Sequence, residues 1–171
     1  MFVPVSAEKS PAYRYGGAAL FLAAAVILGA LGFEYIGGYA PCPLCLEQRY
    51  AYYAGVPLLF LAMALVAEKP RFAAFVFLAV ALAFLANAGL GVYHAGAEWK
   101  LWPGPDTCTG NQALPTSASD LLAAAESAVV VRCDEAALRI AGLSLAGWNV
   151  IASLLAFALV LRAAYLSAFE S

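Results

Sequence analysis

The stretch Phe72–Ala97, FAAFVFLAVALAFLANAGLGVYHAGA, contains no Asp, Glu, Lys or Arg. As a helix rising 1.5 Å per residue it can cross a hydrocarbon layer about 30 Å thick. Its wealth of Ala, Leu, Val and Phe makes helix the natural state, whereas a membrane β-barrel needs alternating segments of about ten residues. Tyr15–Phe33, Tyr50–Ala67 and Ile140–Leu161 share this freedom from charge. Across all 171 residues, 64% are hydrophobic and 12% are charged, against about 25% charged in an average soluble domain. The mean hydropathy is +0.83. A soluble core of this size cannot hide so much apolar surface. These values exclude a disordered chain, a nucleic-acid binder and an ordinary soluble enzyme, and they make the lipid bilayer the solvent.

The expected fold is therefore all-α: one membrane domain, a four-transmembrane-helix bundle, with spans near 15–35, 43–66, 72–93 and 144–165. A long loop, 94–143, would join the third and fourth. The second span is expected to begin near Cys42, which places Glu47 and Arg49 inside its helix. The first segment is expected to be retained. Its apolar run is long for a signal peptide, and Glu34 follows without a small-x-small cleavage site.

Lysine and arginine in the connections set the orientation. Lys9 and Arg14 precede the first span, Lys69 and Arg71 lie between the second and third, and Arg162 closes the fourth. The long loop holds Lys100, Arg132 and Arg139 against Glu98, Asp106, Asp120, Glu126, Asp134 and Glu135. Both termini are thus expected on the cytoplasmic side and the long loop outside. Tyr35, Tyr39, Trp99, Trp102 and Trp148 fall near the outer ends, where amphipathic rings anchor helices. Within the loop, Asp120–Val131 reads as a short surface helix capped by Asp120.

All four cysteines fall on the expected outer side. Cys42 and Cys45 form a C-x-x-C at the head of the second span, and Cys108 and Cys133 lie in the long loop. An even count on an oxidising face suggests two disulfides, and four cysteines allow three pairings. Proximity favours Cys42–Cys45 with Cys108–Cys133. A Cys108–Cys133 bond closes a large loop and is worth roughly 3 kcal/mol by chain entropy. The C-x-x-C closes almost none, so its presence asks for a chemical reason. Pro41-Cys42-Pro43 reads as a helix start, and helix N-termini favour thiolates. Cys45 and Arg49, four apart, share a helix face. An arginine one turn inside a membrane is costly and points to function; the bland reading pairs it with Glu47 or Glu34. No metal site is expected, because zinc sites built from four cysteines come as two close pairs and only one exists here. His94 is the sole histidine, which excludes bis-histidine haem ligation.

The stretches Pro41–Arg49 (PCPLCLEQR), Tyr93–Gly110 (YHAGAEWKLWPGPDTCTG) and Cys133–Asn149 (CDEAALRIAGLSLAGWN) resemble the DsbB family, and the span layout extends the likeness over nearly the whole chain. Members are bacterial inner-membrane oxidoreductases that regenerate DsbA, a periplasmic dithiol oxidase of thioredoxin fold. The resemblance implies that Cys108 and Cys133 accept electrons from reduced DsbA. It implies that Cys42 and Cys45 pass them to ubiquinone, with menaquinone the alternative. It assigns Cys45 to quinone contact, Arg49 to quinone binding and His94 to the quinone's surroundings. It also suggests a transient Cys45–Cys108 bond, and a wall for the quinone from Ala146 and Trp148. The family often has Glu directly before the Arg; here Gln48 stands there, and Glu47 is turned about 100° away by the helical period.

Three other readings compete. Vitamin K epoxide reductase-like proteins also couple thiols to quinone, but their C-x-x-C lies late in the bundle. A DsbB paralogue could serve one dedicated thioredoxin-fold partner. A non-enzymatic membrane subunit would use its disulfides only to staple a loop.

Overall fold

The computed structural model describes residues 10–105 and 132–169. Cys108 and the stretch 120–131, expected to be helical, lie outside the described residues. Four helices account for most of the rest: α1 (Pro11–Tyr35), α2 (Pro43–Leu65), α3 (Pro70–Glu98) and α4 (Leu145–Phe169). The first three each begin on proline, whose fixed φ suits the first helical position and whose missing N–H costs nothing there. α3 runs on to Glu98, past the end expected for its span, so His94 is helical and not part of a loop.

The short connections 36–42 and 66–69 make successive helices antiparallel neighbours. α1 packs on α2 and α4, and α3 packs on α2 and α4, closing a ring of four. Leu59, Phe77, Val80, Phe84 and Val160 fill its centre, with alanines such as Ala19, Ala62, Ala81 and Ala163 at the contacts. Small residues matter here because lipid gives helices no hydrophobic reason to associate, so close van der Waals contact must do it. Gly91 shows how close: a Cβ there would lie 2.9 Å from Val150 Cγ2 on α4. The outer surface is apolar too, with Phe21, Leu28, Phe60 and Phe75 pointing away from the bundle. A helix apolar all round fits a lipid surrounding.

α1, α3 and α4 are long and apolar enough to cross a membrane. α2 has the length, but Gln48, Arg49 and Tyr52 in its first turns are polar and buried. They face the interior of the bundle, where their cost is offset by partners.

Residues 99–105 and 132–144 cover the end of the bundle that carries the cysteines. Asp134 ties the two segments together: it accepts from Lys100 Nζ at 2.6 Å and from Arg132 Nε and Nη2 at 2.9 and 2.8 Å. The Trp102 indole stacks on Tyr93 and donates to its carbonyl at 2.8 Å. A two-stranded hairpin, β1 (Arg139–Ile140) and β2 (Leu143–Ser144), leads straight into α4. Its turn residues Ala141 and Gly142 both have positive φ, 50° and 86°, as tight hairpins with native twist require. Ser144 Oγ then accepts the Gly147 N–H at 3.1 Å, capping α4.

Candidate active site at the head of the second helix

Pro43 starts α2, and Cys42 stands before it in extended conformation as the N-cap. Its Sγ accepts the backbone N–H of Cys45 at 3.1 Å, taking the place usually held by a serine or aspartate oxygen. That bond brings Cys45 back over Cys42, with the two sulfurs 2.7 Å apart. Both are free thiols, whereas proximity in sequence favours a disulfide. A C-x-x-C closes so small a loop that its redox state is set by chemistry and not by the fold.

The two sulfurs have different neighbours. Cys42 is 3% exposed and buried in a small apolar cluster with Leu44 and Cys133, against which Cys45 also packs. Cys133 is fully buried and disulfide-bonded. Cys45 instead lines an apolar cavity of about 580 Å³ bounded by α1, α2, α4 and the hairpin. Cavities of this volume with few polar groups are typical of small-molecule sites. Its polar lining groups include Cys45, Gln48, Arg49, Tyr52, His94 and Asn149. Ala146 and Trp148 belong to the α4 wall, and Trp148 is held there by its indole N–H donating to the Ile140 carbonyl at 2.9 Å.

Arg49 is 9% exposed and forms an ion pair with Glu34 in the last turn of α1. Of the two acids within reach in the sequence, Glu34 is therefore the partner, while Glu47 points outward. Arg49 lines the cavity one turn below Cys45, so its charge faces the space that the Cys45 sulfur faces.

Behind the cysteines lies a buried polar array. His94 Nε2 is 3.6 Å from Cys42 Sγ and 3.7 Å from Glu98 Oε1. Its Nδ1 is 2.8 Å from Gln48 Nε2. Gln48 Oε1 accepts from Asn149 Nδ2 at 2.7 Å. Asn149 Oδ1 accepts from the Tyr52 hydroxyl at 2.7 Å, and Tyr52, Asn87 and Ser153 complete the set. Reading along the chain missed this array because its members come from three helices. Each is nevertheless a polar residue inside an apolar segment, which is the signal that could have found them.

The ligating atoms of Cys42, Cys45 and His94 lie within 4.8 Å of one another. Two cysteines and a histidine are a donor set used by zinc. The expectation of no metal site rested on counting cysteines, and only the tertiary structure brings His94 beside them.

The family model described as "Disulfide bond formation protein DsbB" matches residues 14–163. No curated protein and no solved structure matches the chain.

Proposed function

The chain belongs to the DsbB family of membrane disulfide bond formation proteins, and from that premise we propose that it oxidises a DsbA-like dithiol partner and passes the electrons to a membrane quinone. The observation that carries this reading is the division of labour between two adjacent sulfurs. Cys42 is buried in one apolar cluster with Cys133, while Cys45 packs against that cluster and also lines the cavity. The C-x-x-C thus joins a loop disulfide on one side to a lipid-level cavity on the other.

The cavity suits a quinone. Its walls are almost wholly apolar, as a ring with an isoprenoid tail needs, and its polar lining offers Arg49 to a carbonyl oxygen. Bound there, a quinone supplies an acceptor for two electrons and two protons. Cys45 would lie at its ring, Arg49 would hold the oxygen on which negative charge develops, and the apolar walls would exclude water.

The chemistry balances by thiol–disulfide exchange. A thiolate of the reduced partner attacks the Cys108–Cys133 disulfide at Cys108 and releases Cys133 as a thiolate. Cys133 attacks Cys42 of the oxidised Cys42–Cys45 pair, forming a Cys42–Cys133 bond and releasing the Cys45 thiolate into the cavity. That Cys42 and Cys133 share one buried cluster supports this link. The partner's second thiol then resolves its own mixed disulfide. Two electrons have moved from the partner to the chain. The Cys108 thiolate then attacks Cys133 of the Cys42–Cys133 bond, which re-forms the loop disulfide and releases Cys42 as a thiolate. The reduced Cys42–Cys45 pair would give its two electrons and two protons to a quinone held in the cavity as its own disulfide closes again.

In this reading α2 is the fourth span, its polar residues turned inward. The basic residues Arg14, Lys69, Arg71 and Arg162 mark the cytoplasmic end, which leaves the cysteines at the periplasmic end.

The test is quinone reduction by the purified protein in detergent with a reduced DsbA-like donor. Ubiquinone and menaquinone analogues are offered in separate arms. Consumption in wild type that vanishes in Cys45→Ser supports the reading. No consumption with either quinone removes it and favours loop disulfides that are only structural.

A further inference from the structure

The buried polar array has a direction. The Tyr52 hydroxyl and the Asn87 NH2 present hydrogens to one oxygen, Asn149 Oδ1, at 2.7 and 3.4 Å. The other end of that amide is then its NH2, which donates to Gln48 Oε1 at 2.7 Å. The Gln48 NH2 is in turn left to face His94 Nδ1 at 2.8 Å. An amide N–H can only donate, so Nδ1 must offer its lone pair. A neutral imidazole has one N–H and one lone pair, and an imidazolium has no lone pair at all.

We propose that this one-way chain from Tyr52 through Asn149 and Gln48 fixes His94 as the neutral tautomer with its proton on Nε2, on the side of the Cys42 sulfur and the Cys133 carbonyl. Tyr52, Asn149 and Gln48 are positioning residues that act on the thiol pair through His94. The far side of the ring agrees independently. The acceptors around the ring are the Cys133 backbone carbonyl, to which it donates, Cys42 Sγ at 3.6 Å from Nε2 and the Glu98 carboxylate at 3.7 Å from Nε2.

The consequence rests on the redox reading of Cys42 and Cys45. In exchange at a disulfide, negative charge spreads over the attacking, central and leaving sulfurs. Cys42 is the central one when Cys133 attacks. It would have two N–H groups beside it, from the Cys45 backbone and from His94 Nε2, and both stabilise that charge. The same proton keeps Nε2 from serving as a metal ligand until the whole chain of amides reverses.

His94 is the sole histidine, so histidine labelled with nitrogen-15 gives one imidazole to observe in the full-length reduced protein in detergent. The nitrogen shifts distinguish the two tautomers directly, without quinone or partner, so this result stands apart from that of the activity test. Wild type is expected to show a bare Nδ1 and a protonated Nε2. Gln48→Glu, whose carboxylate cannot donate, should shift the Nδ1 signal to its protonated position. Asn149→Asp should do the same from one residue further away, because Gln48 must turn its NH2 towards the new carboxylate and its oxygen towards His94. A wild-type spectrum with protonated Nδ1 overturns the proposal, and so does an Nδ1 that stays bare in both variants. The wild-type spectrum decides the tautomer even where a variant fails to fold.

Discussion

The guanidinium of Arg49, in the second turn of α2, is paired with the carboxylate of Glu34, in the last turn of α1, beside the apolar cavity. Each side chain is largely withdrawn from solvent, at 11% and 23% exposure. Glu34 holds the arginine where its remaining N–H groups can reach a ligand in the cavity, and it neutralises a charge that lipid would not tolerate alone.

Arg49→Ala should therefore weaken quinone use more than it slows chemistry at saturation. A hydrogen bond to a charged group contributes about 1.5–3 kcal/mol, so the quinone KM is expected to rise about 10- to 100-fold. Glu34→Gln should give a smaller rise, because the arginine stays but is less well held. Steady-state quinone titrations of both variants check this, and an unchanged KM in Arg49→Ala would remove Arg49 from the binding site.

The packing of Cys133 on Cys42 makes a specific prediction about trapped intermediates. In Cys45→Ser the pair cannot close, so the Cys42 thiolate is left to attack the loop disulfide at Cys133, and a Cys42–Cys133 bond should accumulate with Cys108 released as a thiol, without added partner. Non-reducing peptide mapping by mass spectrometry reads it. A dominant bond from Cys42 to Cys108 would mean that the other loop cysteine makes the transfer.

Gly91→Ala should loosen the α3–α4 contact beside the polar array. The added Cβ would lie 2.9 Å from Val150 Cγ2 and 3.2 Å from Asn149 Nδ2, closer than such contacts allow. Overpacking of this kind costs about 1–3 kcal/mol. The variant is expected to show a lower thermal midpoint in detergent, and a shifted His94 spectrum because Asn149 is displaced.

Asp134, next to Cys133, is held well below the usual carboxylate range by Arg132 and, second, by Lys100. A carboxyl whose folded value is depressed adds stability that is complete above its unfolded value of about 3.9. The contribution fades as pH falls from there towards the folded value. The thermal midpoint of Asp134→Asn should thus lie below that of wild type at pH 7, and the gap should shrink as the pH is lowered below about 4. Because the ion pairs are at the surface the gap is small. A gap that does not change with pH would show that Asp134 acts by packing.

Much of the fold was legible in the chain. A bilayer is crossed by helices or closed β-barrels, and a long run without charge fits the helix, so Phe72–Ala97 and the segments now in α1 and α4 announce themselves by the absence of charge. The C-x-x-C with Arg49 one turn on was legible for a similar reason, since helical period alone puts Cys45 and Arg49 on one face. α2 reads less clearly, because Gln48, Arg49 and Tyr52 make it the most polar of the four.

The sequence by itself determined the apolar helices, the position of the cysteine pair at a helix start and the single histidine, all properties of local spacing and solvent. The packing of the helices settles that Arg49 pairs with Glu34 and not Glu47, that Cys133 joins the cluster of Cys42 and that of the two sulfurs only Cys45 lines the cavity, and that Gln48, His94 and Asn149 form one chain of hydrogen bonds. Those relations join residues on different helices. They depend on how far each helix is rotated and slid against its neighbours, and close packing of small side chains sets that. No periodicity along one segment records it.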